Sequence, residues 1–197
     1  MTKQPNKLQS DLVAARAAIG EALTTWAVVE DDLCTTFVRA LTAETNRPAV
    51  LAYFAIRSFE ARLSAVNAAI SGRYDLPKEL HEEWESLSNK IRRKSKARNE
   101  LAHCSLLSLN HRSDEVKIFP FFSMVEDFTP DPDEGKSSKV EENYKSLKIG
   151  DVAQRSESFG KLIKKIRAFN AKLPQRSLLA QPKNDLTINR AEPHPRL

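Results

Sequence analysis

Residues 79–104 read ELHEEWESLSNKIRRKSKARNELAHC. Apolar side chains recur at Leu80, Trp84, Leu87 and Ile91, in steps of four, three and four, which keeps them on one face of an α-helix from Glu79 to Ala102. Extending that stripe by four and then three residues reaches Ser95 and Arg98. A guanidinium therefore stands where the pattern asks for a hydrophobe, and because it can hardly lose its proton it must meet an anionic partner there. His103 follows five residues later, about 140° further round and roughly 7.5 Å along the axis of a regular helix. Arg98 and His103 share a face only if the helix bends or ends between them.

Upstream, the segment from about Asn6 to Leu41 carries Ile19, Leu23, Trp26, Glu30, Leu33 and Phe37 at the same alternating steps, the pattern of a helix packed along a seam against one partner. One member of this stripe is a carboxylate. A buried or half-buried ion pair of Glu30 with Arg98 or with Arg57 is expected, structural or functional. Asn46-Arg47-Pro48 ends the first helix and opens the next, because proline suits a first turn and restricts the residue before it. A second helix over about Pro48 to Ser71 carries Ala52, Ile56, Phe59, Leu63, Val66 and Ile70 on its stripe. Gly72 is its C-cap, and Asp75-Leu76-Pro77 restarts the chain.

Beyond His103 the texture changes. Ser105 to Leu109, a turn-like Asn110 to Asp114, and Glu115 to Phe119 predict a β-hairpin over 105–119. Residues 127–138, with two prolines, a glycine and several charges, read as a mobile surface loop. Gly135-Lys136-Ser137 within it is not a phosphate loop, since Pro130 occupies the place of that motif's first glycine. A last helix over about Gly150 to Leu173 sets Val152, Phe159, Ile163, Ile166 and Leu173 on one side and five basic residues, Lys161 to Lys172, over the rest. Residues 175–197 are polar, proline-bearing and aperiodic, which predicts a flexible tail. The sum is an all-α fold: an antiparallel helical bundle of four to five helices with a small β-hairpin insertion after the third long helix, one domain over residues 1–174.

Composition agrees with helices. Only 5 glycines occur in 197 residues, and the first half is rich in Ala, Leu, Glu, Lys and Arg. No apolar run approaches the roughly 20 residues of a membrane-spanning helix, and Met1 to Ser10 has no signal-peptide core, so a soluble, cytoplasmic protein without a membrane partner is expected. Cys34 and Cys104 lack Cys-x-x-Cys spacing and read as reduced structural thiols. His81, His111 and His194 stand in surface-like contexts, and His81 to Glu85 lacks the second histidine of the zinc-protease helix. A net charge of +5 and a pI near 9.2 suit a polyanionic partner. The distribution says more than the total: Lys90, Arg92, Arg93, Lys94, Lys96 and Arg98 fall within nine residues, directly before His103. Taken alone, such a run is a solvated helix face.

Arg98-Asn99-Glu100-Leu101-Ala102-His103 resembles the signature of HEPN domains, an arginine, four to six residues and a histidine, commonly with Asn or another polar residue after the arginine. The resemblance runs over about Leu8 to Leu173, and its specificity lies in the motif. It implies an all-α homodimer, often with an appendage after the motif, and in many members a metal-independent endoribonuclease whose motif residues from both protomers meet at the interface. It implies RNA as substrate, no cofactor and no metal. Arg98 would hold the scissile phosphate and stabilise its transition state. His103 would act as general base or acid, and Asn99 would orient the phosphate or His103. Glu30 is a candidate fourth catalytic member, since some members carry an acidic residue on another helix facing the motif. Lys90, Arg93, Lys94 and Lys96 become candidate RNA-binding residues. A toxin or phage-defence effector, with an antitoxin or other regulatory protein as a further partner, is the implied setting. Two alternatives stand beside it: a non-catalytic helical module binding RNA, a nucleotide or a protein, and a structural dimer in which Arg98, Asn99 and Glu30 form a buried network.

Overall fold

Lys7–Leu41 is one continuous helix, α1, and in the computed structural model every other helix packs against it. The structure describes residues 7–41, 47–108, 116–120 and 146–174. After α1 come α2 (Arg47–Ala55), α3 (Phe59–Ser71), α4 (Lys78–Ala102), β1 (Cys104–Ser108), β2 (Val116–Pro120) and α5 (Ile149–Lys172). The fold is all-α with one small hairpin. The turn expected at 110–114, the surface loop at 127–138 and the tail at 175–197 lie outside the described residues.

The seam expected for α1 is too narrow. Ala15, Ala22, Trp26, Val29, Leu33 and Thr36 are all buried, while Ile19, Leu23 and Phe37 sit half-buried at the margins. The reason is that α1 is enclosed by several helices rather than paired with one. By length and composition α1 is also apolar enough to cross a membrane, against the expectation that no run approached that length. Its buried residues are those that meet the surrounding helices.

The single helix expected from Pro48 to Ser71 is two. Ile56, Arg57 and Ser58 are non-helical, and Ser58 caps α3, its Oγ accepting from the Ala61 N–H at 3.1 Å. This break reverses the chain. α2 runs back along α1, so that Tyr53 stacks against Phe37 with ring centroids 5.6 Å apart. α3 then runs with α1, pairing Trp26 with Phe59, Glu30 with Arg62 and the Arg39 carbonyl with Arg73. Ala52, placed on the stripe by its spacing, is exposed. α4 is antiparallel to α3 (Glu60 with Arg92, Asn67 with Trp84) and to α5 (Glu83 with Lys172, Glu100 with Arg155). α5 again runs with α1, through Thr25 and Ser156, Asp32 and Arg167, and Thr36 and Asn170. Each consecutive pair of helices is thus antiparallel, as the short connections from α1 to α4 demand and as α4 and α5 remain across the longer connection that holds the hairpin.

The hairpin begins and ends one residue outside its expected bounds, with Cys104 opposite Pro120 and Ser108 opposite Val116. Ile118 is fully buried and exchanges two backbone hydrogen bonds with Leu147, at 3.1 and 2.7 Å, which docks the hairpin beside the start of α5.

At the opposite end of the bundle Arg73 is 1% exposed. Its Nε and Nη2 bind the Asp75 carboxylate at 2.7 and 2.6 Å, and Nη1 and Nη2 donate to the carbonyls of Arg39 and Pro174 at 3.2 and 3.3 Å. One guanidinium thus ties the ends of α1, α3 and α5 together. His81, expected in a solvated setting, is instead half-buried, with Nε2 at 3.2 Å from the Arg73 carbonyl. Arg73→Ala should lower the stability by about 3 kcal/mol, because two carbonyls and a carboxylate lose their donor at once. A urea midpoint that stays at the wild-type value would show the tie to be dispensable.

Candidate functional site

α4 stops at Ala102. His103 occupies its C-cap with φ −117° and ψ 24°, and its N–H closes on the Asn99 carbonyl at 3.1 Å. The helix carries the chain as far as the His103 N–H, and there φ leaves the helical value of about −63°, so the side-chain direction is no longer that of a regular helix. Arg98 and His103 line one cleft of about 510 Å³, together with Trp26, Glu30, Asp31 and Phe54. Arg155 of α5 braces this end of α4: its Nη1 donates to the Ala97 carbonyl at 3.1 Å and its Nη2 meets Glu100 at 2.6 Å. α4 has no basic residue in its own last turn, and Arg155 supplies that cation from a neighbouring helix.

The anionic partner that Arg98 requires is Glu30. Its Oε1 accepts from Arg98 Nη2 at 3.0 Å and from Trp26 Nε1 at 2.9 Å, and its Oε2 accepts from Arg62 Nη1 at 2.7 Å. The second cation on Glu30 is therefore Arg62 rather than Arg57. With two guanidiniums and an indole on its oxygens, and a side chain only 14% exposed, this carboxylate is placed to hold Arg98. Arg62 is itself fixed. Its Nε donates to the Ile56 carbonyl at 2.7 Å, and its guanidinium carbon lies 5.4 Å from the Phe54 ring centroid and 5.7 Å from that of Tyr53. The chain reversal after α2 is thus coupled directly to the position of Arg98.

Arg98 Nη1 also donates to Asn99 Oδ1 at 3.0 Å. A guanidinium has five N–H donors, so among the described residues these bonds to Glu30 and Asn99 leave three for a ligand. On the far side of the pair, a second cleft of about 390 Å³ is lined by Arg57, Ser58, Glu60, Arg62 and Asn99, with Glu30 and Arg98 as the wall common to both clefts.

The basic run does not converge on the motif. Lys90, Arg93 and Lys96 are exposed on the outer face of α4, Arg92 pairs with Glu60 at 2.8 Å, and half-buried Lys94 lines a separate cleft against α5, beside Asp151 and Lys161. Neighbours in sequence diverge on a helix by about 100° per residue, which separates these side chains from Arg98. Both cysteines are free, Cys34 buried and Cys104 half-buried. Burial pushes both thiols up, and at Cys34 the Asp31 carboxylate adds to the effect, so neither is poised as a nucleophile. Among the described residues no group of three or more His, Cys, Asp or Glu gathers to hold a metal ion.

Three contributors to the site are absent from the reading of the sequence. Trp26 and Glu30 are four residues apart on one stripe, so their bond is legible from spacing. Arg62 and Arg155 lie 32 and 58 residues from the groups they bind, and no local pattern names them. Comparison of the chain with protein-family models, with curated proteins and with solved structures finds no match.

Proposed function

We propose that this chain is a metal-independent endoribonuclease of HEPN type, acting as a homodimer in the cytoplasm. The observation that carries the reading is the shared cleft: Arg98 and His103 line one groove, with Glu30 behind the guanidinium. Cutting RNA without a metal requires that the 2′-hydroxyl lose its proton, that the departing 5′-oxygen gain one, and that a cation meet the charge building on the phosphoryl oxygens. As the 2′-oxygen bonds to phosphorus, the bond from phosphorus to the 5′-oxygen breaks. An imidazole serves either proton transfer near neutral pH. His103 is the general base or acid, and a second copy of the chain brings the other through its own His103.

Arg98 holds the scissile phosphate with the donors that Glu30 and Asn99 leave open, and stabilises the transition state. Asn99 orients the guanidinium through its Oδ1, and Glu30 is a positioning residue. Lys90, Arg93, Lys94 and Lys96 raise the local concentration of RNA from outside the cleft. Such an enzyme fits a toxin or phage-defence effector restrained by an antitoxin or another regulatory protein.

A second reading, a non-catalytic module that binds RNA or a nucleotide, is favoured by one feature: Arg98 is already engaged by Glu30 and Asn99. Incubating the purified protein with total RNA in excess EDTA separates the two. Fragments ending in a 2′,3′-cyclic phosphate and a 5′-hydroxyl are expected. Intact RNA retained on the protein would favour the module.

A further inference from the structure

Phe54 closes one side of the Arg98–His103 cleft. It is 44% exposed, an uncommon state for a large aromatic side chain. Its ring is not loose: it stacks edge-on against Tyr53 with centroids 5.3 Å apart, and Arg62 sits over it. A rigid, partly open aromatic ring beside an arginine built to take phosphate has the chemistry of a nucleobase platform, because every base has a π-face to stack. Three residues on, in the α2–α3 break, Arg57 lines the second cleft. Of the three arginines there, Arg62 and Arg98 are held by Glu30, and Glu60 is engaged by Arg92, whereas Arg57 is exposed to solvent. Since Arg98 lines both clefts, a chain held at Arg98 has His103 and Phe54 on one side of it and Arg57 on the other.

From this we infer that Phe54 and Arg57 form a subsite for unpaired RNA flanking the scissile phosphate, Phe54 stacking one base and Arg57 binding the adjacent phosphate. The inference rests on RNA being the ligand of the Arg98 cleft and adds the substrate class. A duplex keeps its bases stacked in the helix and offers none to Phe54, so the subsite selects single strands, loops or ends.

The test measures binding, which keeps it separate from cleavage. A fluorescent 2′-O-methyl oligouridylate, lacking the nucleophilic hydroxyl, is titrated by anisotropy alone and annealed to its complement. The wild type, Phe54→Leu, Phe54→Tyr, Arg57→Ala and Arg57→Lys proteins are compared. The single strand should bind at least about tenfold tighter than the duplex. Phe54→Leu should weaken single-strand binding by about 5- to 100-fold while Phe54→Tyr retains it. Arg57→Ala should weaken binding and reduce the salt slope by about one, with Arg57→Lys close to wild type. Arg57 is exposed, so Arg57→Ala should hardly move the thermal midpoint, whereas Phe54→Leu gives up its ring contacts with Tyr53 and Arg62 and should lower it slightly.

Equal affinity for strand and duplex, or unchanged affinity in Phe54→Leu and Arg57→Ala, overturns the proposal even if the wild type cuts RNA. A change of oligomeric state in Phe54→Leu without a change in RNA affinity overturns it too, and makes the ring a contact for a second protein chain. If the binding contrasts appear in a protein that cuts nothing, the nuclease reading falls and the subsite stands. No RNA binding by the wild type removes both.

Discussion

His103→Ala should lower RNA cleavage by about 10² to 10⁴-fold, the span that a positioned proton-transfer group contributes, and leave the thermal midpoint nearly unchanged. The two halves of that expectation have separate causes. His103 is exposed and sits past the end of α4, outside the hydrophobic core, so its loss opens no cavity. As a cap it contributes its backbone N–H, which alanine retains. Arg98→Ala is the companion measurement. Cleavage should fall about 10² to 10³-fold for the loss of a preorganised donor, with a modest decrease in stability, because Glu30 keeps Arg62 and Trp26 as partners. The structural-network reading differs on two counts: a large rather than modest stability loss in Arg98→Ala, again with none in His103→Ala, and no RNA cleavage by any of the proteins. Midpoints and cleavage rates on the same three preparations decide between them.

Glu30→Ala should be the most damaging change near the site, costing about 3 kcal/mol of stability together with most of the cleavage activity. Removing this carboxylate leaves Arg62 and Arg98 facing one another without their anion, and strands the Nε1–H of Trp26, which is 1% exposed. Breaking a buried pair costs about 3–5 kcal/mol. The lower end applies because Arg62 and Arg98 are 17% and 31% exposed and water can reach them. Glu30→Gln tells holding from proton transfer. The amide oxygen still accepts from Trp26 and from one arginine, so a positioning role forecasts a partial loss of both stability and rate. Were Glu30 the group that takes the 2′-proton, Glu30→Gln would abolish cleavage with the same partial loss of stability. A Glu30→Ala protein with the wild-type urea midpoint would mean that this carboxylate does not hold the two arginines and the indole together.

The two sets of substitutions bear on one arrangement, in which α1 supplies the carboxylate, α4 the arginine and its cap the histidine, and α3 the second arginine. Its legibility in the sequence was uneven for a physical reason. Helical periodicity is written in side chains three and four residues apart, so the extents of α1, α4 and α5 could be read to within about a residue, as could the hairpin after α4 from its two short runs flanking a turn. The requirement that Arg98 meet an anion, and Glu30 as a candidate for it, could be read the same way, because a charge on an apolar stripe shows without knowing the partner.

The break at 56–58 could not. An apolar stripe passes through it, no glycine or proline marks it, and its local sign is a serine followed by an acidic first turn. That break sets the direction of α3, and the direction of α3 puts Arg62 rather than Arg57 on Glu30. The divergence of the basic run from the motif was likewise hidden, since the lysines are adjacent along the chain and apart around the helix. Sequence by itself determined where α1, α4 and α5 lie and that a buried cation needs an anion, because both follow from chemistry within a few residues. Only tertiary structure decided which cation shares that anion and that Arg98 and His103 open onto one cleft, because these depend on a chain reversal and a helix end whose stability comes from contacts tens of residues away.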